Sequence, residues 1–142
     1  RKMAIEKTLT IIKPDAVAAG KSGEIIAVIE GAGFRILGMK KLRLSRADTE
    51  TFYHVHRKRP FFNSLVTFMT EGPVVPMTLE RNDAIAKLRE IMGSTDPTKA
   101  TKGTIRNRFG TNVERNAIHG SDASETAAVE LKFFFSELEL QD

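Results

Sequence analysis

Leu9, Ile11 and Lys13 alternate with Thr10 and Ile12, and Pro14 then withdraws a backbone donor. Residues 8 to 13 therefore predict a short strand with Lys13 at its end. Ser22 is placed to cap a helix carrying Ile25, Val28, Ile29 and Ala32 on one face, closed by Gly31 or Gly33. Phe34, Ile36, Leu42 and Leu44 share a parity, which predicts a long second strand with Gly38 permitting a kink or bulge. Ser45 and Asp48 have capping-box spacing and open another helix. Arg59-Pro60 breaks the chain before Phe61 and Phe62, and Leu65, Val66 and Met69 continue at helical spacing. After Gly72-Pro73, Val75, Met77 and Leu79 alternate as a third strand, in which Pro76 favours a sheet edge. Asn82 is the expected cap of a helix with Ile85, Leu88 and Met92 inward.

From Gly93 to Asn112 the apolar periodicity lapses among threonines, glycines and bases, and a loop of this length is usually functional or disordered. A brief strand around Ala117 to His119 follows, then a last helix from Asp122 with Ala127, Ala128, Leu131, Phe134 and Phe135 on its buried stripe. Four strands are too few for a doubly wound sheet. The order βαβ, helices, βαβ predicts an α+β architecture: a ferredoxin-like, four-stranded antiparallel sheet with helices packed on it.

At 142 residues the chain reads as one domain, 1–142, with Met3 as the natural start and Arg1 and Lys2 as an added leader. The absence of cysteine excludes disulfides and thiolate metal sites and points to a reducing cytoplasm. No stretch approaches the roughly 20 apolar residues of a membrane span, so a membrane is not an expected partner. Lysine and arginine exceed the acids by 22 to 18, for a net charge of +4, which suits an anionic ligand without implying nucleic acid. The placement of the bases says more: Arg89, Lys99, Lys102, Arg106, Arg108 and Arg115 precede a histidine closely in sequence.

That histidine stands in Asn116-Ala117-Ile118-His119-Gly120-Ser121-Asp122, between a carboxamide, a hydroxyl and a carboxylate. Imidazole can serve as nucleophile as well as base, and Gly120 is read as leaving the backbone open for a large anion. Glu130 lies at the edge of the last helix's apolar stripe and has two readings. It either reaches solvent or hydrogen-bonds one nitrogen of His119, fixing the tautomer so that the other carries the lone pair. Phe61 is either a core anchor or an exposed platform for a base, with Phe62 able to supply the core contact. His54 and His56 are two apart, the wrong spacing for a shared metal on a helix, and read as solvent-facing, as do Arg57, Lys58 and Arg59. Gly20-Lys21-Ser22 fails the phosphate-loop pattern because Asp15 stands where its first glycine belongs, and Gly31, Gly33 and Gly38 miss the dinucleotide fingerprint.

Lys13-Pro14-Asp15, Arg59-Pro60-Phe61-Phe62, Gly72-Pro73-Val74-Val75, Gly103-Thr104-Ile105-Arg106 and the His119 heptapeptide occur in this order. In these blocks and their spacing, from about Glu6 to Leu138, the chain closely resembles the nucleoside diphosphate kinases. The resemblance implies a ferredoxin-like sandwich and an ATP-using transferase. Such an enzyme moves the terminal phosphoryl of a nucleoside triphosphate onto a nucleoside diphosphate through a phosphohistidine, by a ping-pong route with broad base tolerance. It implies His119 as the nucleophile through Nδ1, with Glu130 and Ser121 orienting it and Tyr53 beside it. Lys13 and Asn116 match the ribose-binding residues, Lys13 also meeting the transferred phosphoryl. Arg89, Thr95 and Arg106 match a phosphate clamp, and Phe61 and Val113 the two faces around the base. Mg²⁺ is implied on the substrate phosphates, with Asp122 as its candidate outer-shell group, and so is a homo-oligomer, hexamer or tetramer, built from dimers. Ala123 stands where a serine is common, and Pro76 and Arg81 where smaller residues are expected. A non-enzymatic RNA-binding sheet is the competing reading. It wants neighbouring aromatics on its strands, whereas this chain has one tyrosine, no tryptophan and phenylalanines mostly in helices, so nucleic acid is not an expected partner.

Overall fold

The computed structural model of the chain describes residues 4–141, so the reading of Arg1, Lys2 and Met3 lies outside the described residues. Among the described residues four strands form one sheet in the order β2-β3-β1-β4, where β1 is Ile5–Ile12, β2 Arg35–Met39, β3 Val75–Asn82 and β4 Ile118–Gly120. Every neighbouring pair is antiparallel, as the ferredoxin-like reading requires. Leu9 opposes Thr78 and Thr10 opposes Met77, so each strand presents alternate residues to the two faces.

Both faces are covered. Ile12, Val75, Met77 and Leu79 pack with Ile25 and Ile29 of α2 (Ser22–Gly31) and with Ala84, Leu88 and Met92 of α5 (Ala84–Met92). On the opposite face, Leu9 and Ile11 meet Phe68 and Met69 of α4 (Phe62–Met69) and Phe134 of α7 (Ser124–Phe134), together with Tyr53, which follows α3 (Arg46–Phe52). His119 pairs with Ile11 and so projects to this second face, under α7.

Local chemistry moves several boundaries. A helix α1 (Pro14–Ala18) follows β1 directly, with Pro14 at its first position where a missing N–H costs nothing. Ser22 is not a cap: Lys21 holds that position without a side-chain bond. Ser45 does cap α3, accepting from the Asp48 amide at 3.0 Å. The long second strand is cut to β2, because the register shifts between Ile36 and Gly38 and only Leu42 pairs again, with Val74. Gly38 fits tightly there: a Cβ would lie 3.0 Å from Leu140 Cδ2 and 3.1 Å from the Glu139 carbonyl, so a larger residue would make these neighbours give way.

Pro76 is not at an edge; β3 lies between β2 and β1. Its carbonyl accepts from Lys40 N at 3.2 Å, and the two polar groups of one residue face the same neighbour. The absent N–H is therefore turned to the side where β2 has ended. Asn82 ends β3 and does not cap α5; Glu6 on β1 takes the Ile85 amide at 3.2 Å instead. The expected loop from 93 to 112 contains a 3₁₀ turn, Pro97–Lys99, and the short helix α6 (Ile105–Phe109), whose first turn Thr104 caps. Helix α7 begins at Ser124, with Ala127 and Phe134 buried, Leu131 half-buried and Ala128 exposed, and Phe135 is buried just beyond its end.

Candidate functional site

A cleft of about 420 Å³ opens where β1 ends and β4 begins, within the range of small-ligand sites. Pro14 stops β1 and leaves Lys13 at its floor, 7% exposed. Asn116, 2% exposed, accepts from Lys13 Nζ at 2.8 Å. The Asn116 carboxamide also donates to the Thr95 and Val113 carbonyls, at 3.1 and 2.9 Å, which ties both flanking loops to the floor. Phe61 and Val113 stand at the mouth, 45% and 58% exposed, so Phe61 is not a core anchor, while Phe62 turns half-inward.

Along one wall lie Arg89, Thr95, Arg106 and Asp122. Arg89 and Asp122 pair at 2.8 Å near the surface. Arg106 is buried, its guanidinium donating to the Gly93 and Ile118 carbonyls at 3.2 and 2.8 Å. Burial first, and the neighbouring Arg89 charge second, lower its pKa to about 10 against the pull of Asp122. Lys13 is lowered to about 8 by burial and by Arg106, with Asp15 and Glu114 opposing. Lys13 and Arg106 are buried cations that disfavour each other's charge, and an anion bound beside them would relieve that.

His119 occupies the inner end. Its Nε2 donates to Glu130 Oε1 at 2.9 Å, and Ser121 Oγ donates to the same oxygen at 2.8 Å. Glu130 thus does not reach for solvent alone. Burial would raise its carboxyl, but the His119 bond and charge and the Ser121 bond outweigh it and hold the pKa below the usual value. An ionised acceptor on Nε2 puts the imidazole proton there and the lone pair on Nδ1. The Phe52 and Tyr53 rings meet the imidazole edge-on, at centroid distances of 5.7 and 6.3 Å. Burial, and secondarily Glu130, push the Tyr53 phenol above its ordinary pKa.

Gly120 lines the cleft and also serves packing. A Cβ there would sit 2.6 Å from Met92 Sδ and 3.0 Å from Leu88 Cδ2, so the glycine lets β4 lie close on α5. The backbone is bent one step earlier: Ala117 has φ 76°, and the Ile118 amide donates back to the Asn116 carbonyl at 2.9 Å. This is a γ-turn in a conformation that costs a non-glycine residue on the order of 1–3 kcal/mol.

Sequence reasoning missed three other lining residues, His56, Leu65 and Glu114. His56 was expected in solvent but is half-buried, its ring 6.4 Å from Tyr53 and 5.5 Å from Phe61; His54, Arg57, Lys58 and Arg59 are exposed. The signal was available in the spacing Tyr53, His56, since a short 3₁₀ turn, His54–His56, stacks residues three apart.

Residues 6–140 match the family model described as nucleoside diphosphate kinase. A curated nucleoside diphosphate kinase from Leptothrix cholodnii is 59% identical over 133 residues, 94% of each chain. One from Geotalea uraniireducens is 54% identical over 136 residues, 96% of this chain and 99% of its own length. Among solved structures, the Aquifex aeolicus nucleoside diphosphate kinase superposes with a TM-score of 0.95 at 46% identity, covering 96% of this chain and 99% of its own. The Halobacterium salinarum nucleoside diphosphate kinase, in complex with CDP, gives a TM-score of 0.94 at 38% identity, covering 98% and 93%.

Proposed function

This chain belongs to the nucleoside diphosphate kinase family, enzymes that exchange a phosphoryl group between nucleoside tri- and diphosphates, and we propose that it does so by a ping-pong route through phosphorylated His119. The observation that carries the route is the Glu130 bond to Nε2, which leaves Nδ1 with the lone pair at the inner end of a cation-lined cleft. Nδ1 attacks the terminal phosphorus in line, an N–P bond forms, and the bridging P–O bond breaks, releasing the nucleoside diphosphate. A second nucleoside diphosphate then takes the phosphoryl by the reverse displacement. As the bond forms, the ring gains positive charge, which Glu130 balances while Ser121 holds the carboxylate in place.

Lys13, Arg89, Thr95 and Arg106 bind the phosphates in this reading, with Lys13 and Asn116 on the ribose hydroxyls and Tyr53 packing the imidazole in place. Phe61 and Val113 hold the base by its faces. Apolar faces read no base edge, so the four common bases are accepted alike.

The family uses a divalent metal with its nucleotide, and Mg²⁺ is proposed here. Among the described residues no group of three or more His, Cys, Asp or Glu is placed to hold an ion, and Asp122 is an exposed carboxylate on the cleft wall. That donor set fits an ion held chiefly by substrate phosphates and water, with Asp122 reaching it through water. When bound, the ion neutralises phosphate charge. Among the described residues no helix is long and apolar enough to cross a membrane. We further propose a single catalytic domain over residues 1–142, a cytoplasmic location, and assembly as a hexamer or tetramer built from dimers.

Incubation with γ-labelled ATP should give acid-labile, base-stable label on His119 that any nucleoside diphosphate removes. Full transferase activity in His119→Ala would rule the mechanism out.

A further inference from the structure

Asn116 and His119 both serve one cleft with only two residues between them, and the chain achieves this by the γ-turn at Ala117. Alanine does not favour φ 76°, so something outside the turn must hold it. Both backbone polar groups of Ala117 are taken by the segment where β1 passes into α1. The Ala117 carbonyl accepts from Lys13 N at 2.9 Å, and the Ala117 amide donates to Asp15 Oδ2 at 3.1 Å. The first of these is backbone to backbone; the second depends on one side chain.

Asp15 does not line the cleft. Its other oxygen, Oδ1, is buried without a hydrogen bond of sound geometry among the described residues. Asp15 lies in the first turn of α1, where a carboxylate is favoured and the Asp15 and Ala16 amides act on it; its bond to the Ala117 amide is the one that reaches outside its own helix.

We infer that Asp15 is a positioning residue for phosphoryl transfer, which pins the Ala117 amide and so holds Asn116 and His119 in one productive arrangement. The inference rests on the phosphohistidine reading above. Losing the pin lets the turn relax toward an ordinary alanine conformation. His119 Nδ1 then departs from its line of attack, while Phe61 at the start of α4 and Arg89 on α5, which are held by other elements, stay where they are. The loss should accordingly fall on kcat more than on nucleotide KM.

The test uses the full chain and expresses kcat per site that accepts γ-label, so unfolded protein does not count. Asp15→Ala should lower kcat per site by about tenfold or more, and Asp15→Asn, which keeps an acceptor without the charge, should stay within about threefold of the parent. Ala117→Gly accepts the positive φ unaided. Added to Asp15→Ala, it should recover at least about threefold, a coupling that a merely structural role would not produce. Parental kcat per site in Asp15→Ala overturns the inference, as does an Asn variant no better than Ala, or a failure of glycine to rescue. If the parent protein itself takes no label on His119, the phosphohistidine reading fails instead, which separates the two.

Discussion

Replacing Glu130 by glutamine leaves the shape of the site nearly unchanged and removes one negative charge. In the parent, Glu130 Oε1 accepts from His119 Nε2 at 2.9 Å and from Ser121 Oγ at 2.8 Å, and the His119 and Glu130 side chains are each 20% exposed. The glutamine oxygen can still accept both bonds, so the tautomer survives and the ring keeps its place. What is lost is the charge-assisted part. Bonds to a charged acceptor contribute about 1.5–3 kcal/mol against about 0.5–1.5 for neutral pairs, so the difference is about 1–1.5 kcal/mol. Only the portion that grows in the transition state slows the reaction, and it is the His119 bond that strengthens as the imidazole becomes cationic.

With each 1.36 kcal/mol worth a factor of ten, phosphorylation of His119 should slow measurably, by up to about tenfold, in Glu130→Gln. The assay is single-turnover transfer of γ-label from ATP, normalised to sites labelled at completion. Acid stability supplies a second readout. The depressed Glu130 pKa means a contribution fully present above the ordinary carboxyl value of 4.5 and lost as pH falls through the lower folded value. Below 4.5 the parent should therefore lose stability more steeply than the glutamine variant. A parental labelling rate in Glu130→Gln would show that the carboxylate charge does not act on the transfer and that hydrogen bonding and packing alone orient the ring.

Lys13, held at about 8, should lose its proton as pH rises through that value, so nucleotide KM should climb above pH 8 in the parent and stay flat in Lys13→Met. The stability sign is opposite: the fold disfavours the protonated amine, the unfolded chain binds more protons between about 8 and 10.5, and stability from this group should rise with pH across that window, seen as the parent-minus-Met difference in denaturant midpoint. Phe61→Ala should raise KM for all four common nucleoside diphosphates by about tenfold with little change in kcat, since base stacking contributes about 1–3 kcal/mol and reads no edge; a loss confined to purines would contradict the shared platform. Gly120→Ala forces a Cβ within 2.6 Å of Met92 Sδ and 3.0 Å of Leu88 Cδ2, which should lower stability by about 1–3 kcal/mol in a denaturant melt. A parental melting curve would mean that α5 retreats without cost.

Elements long enough to carry a burial period were legible in the sequence. The alternation through Leu9 and Ile11 became β1, and the stripe of Ala127, Leu131 and Phe134 became α7. The short helices α1 and α6 were not. Helix α6 has five residues, of which only Ile105 and Arg106 are buried, and a buried arginine does not look like a core position until its carbonyl partners at Gly93 and Ile118 are seen. Caps failed for a related reason. Ser45 capped its own helix as expected, but the first turn of α5 is served by Glu6, which lies 79 residues away. A local rule has no access to a partner supplied across the sheet.

The site divides along the same line. His119, Glu130, Lys13, Asn116 and the arginines are chemically distinctive, and their order in the chain sufficed to nominate them; the structure places His119, Lys13, Asn116, Arg89 and Arg106 on one cleft, with Glu130 bonded to His119. Ala117 carries no such mark. A glycine there would have announced a positive φ, whereas alanine resembles any strand residue. Its conformation is imposed by the Lys13 amide and the Asp15 carboxylate, the latter 102 residues upstream. The same corner of the chain therefore does two jobs: Pro14 ends β1 so that Lys13 reaches the cleft, and Asp15, one residue later, holds the turn that aims His119 into it. Lys13-Pro14-Asp15 is thus a single geometric unit, and a lesion at Asp15 should be felt at His119 although the two side chains never touch.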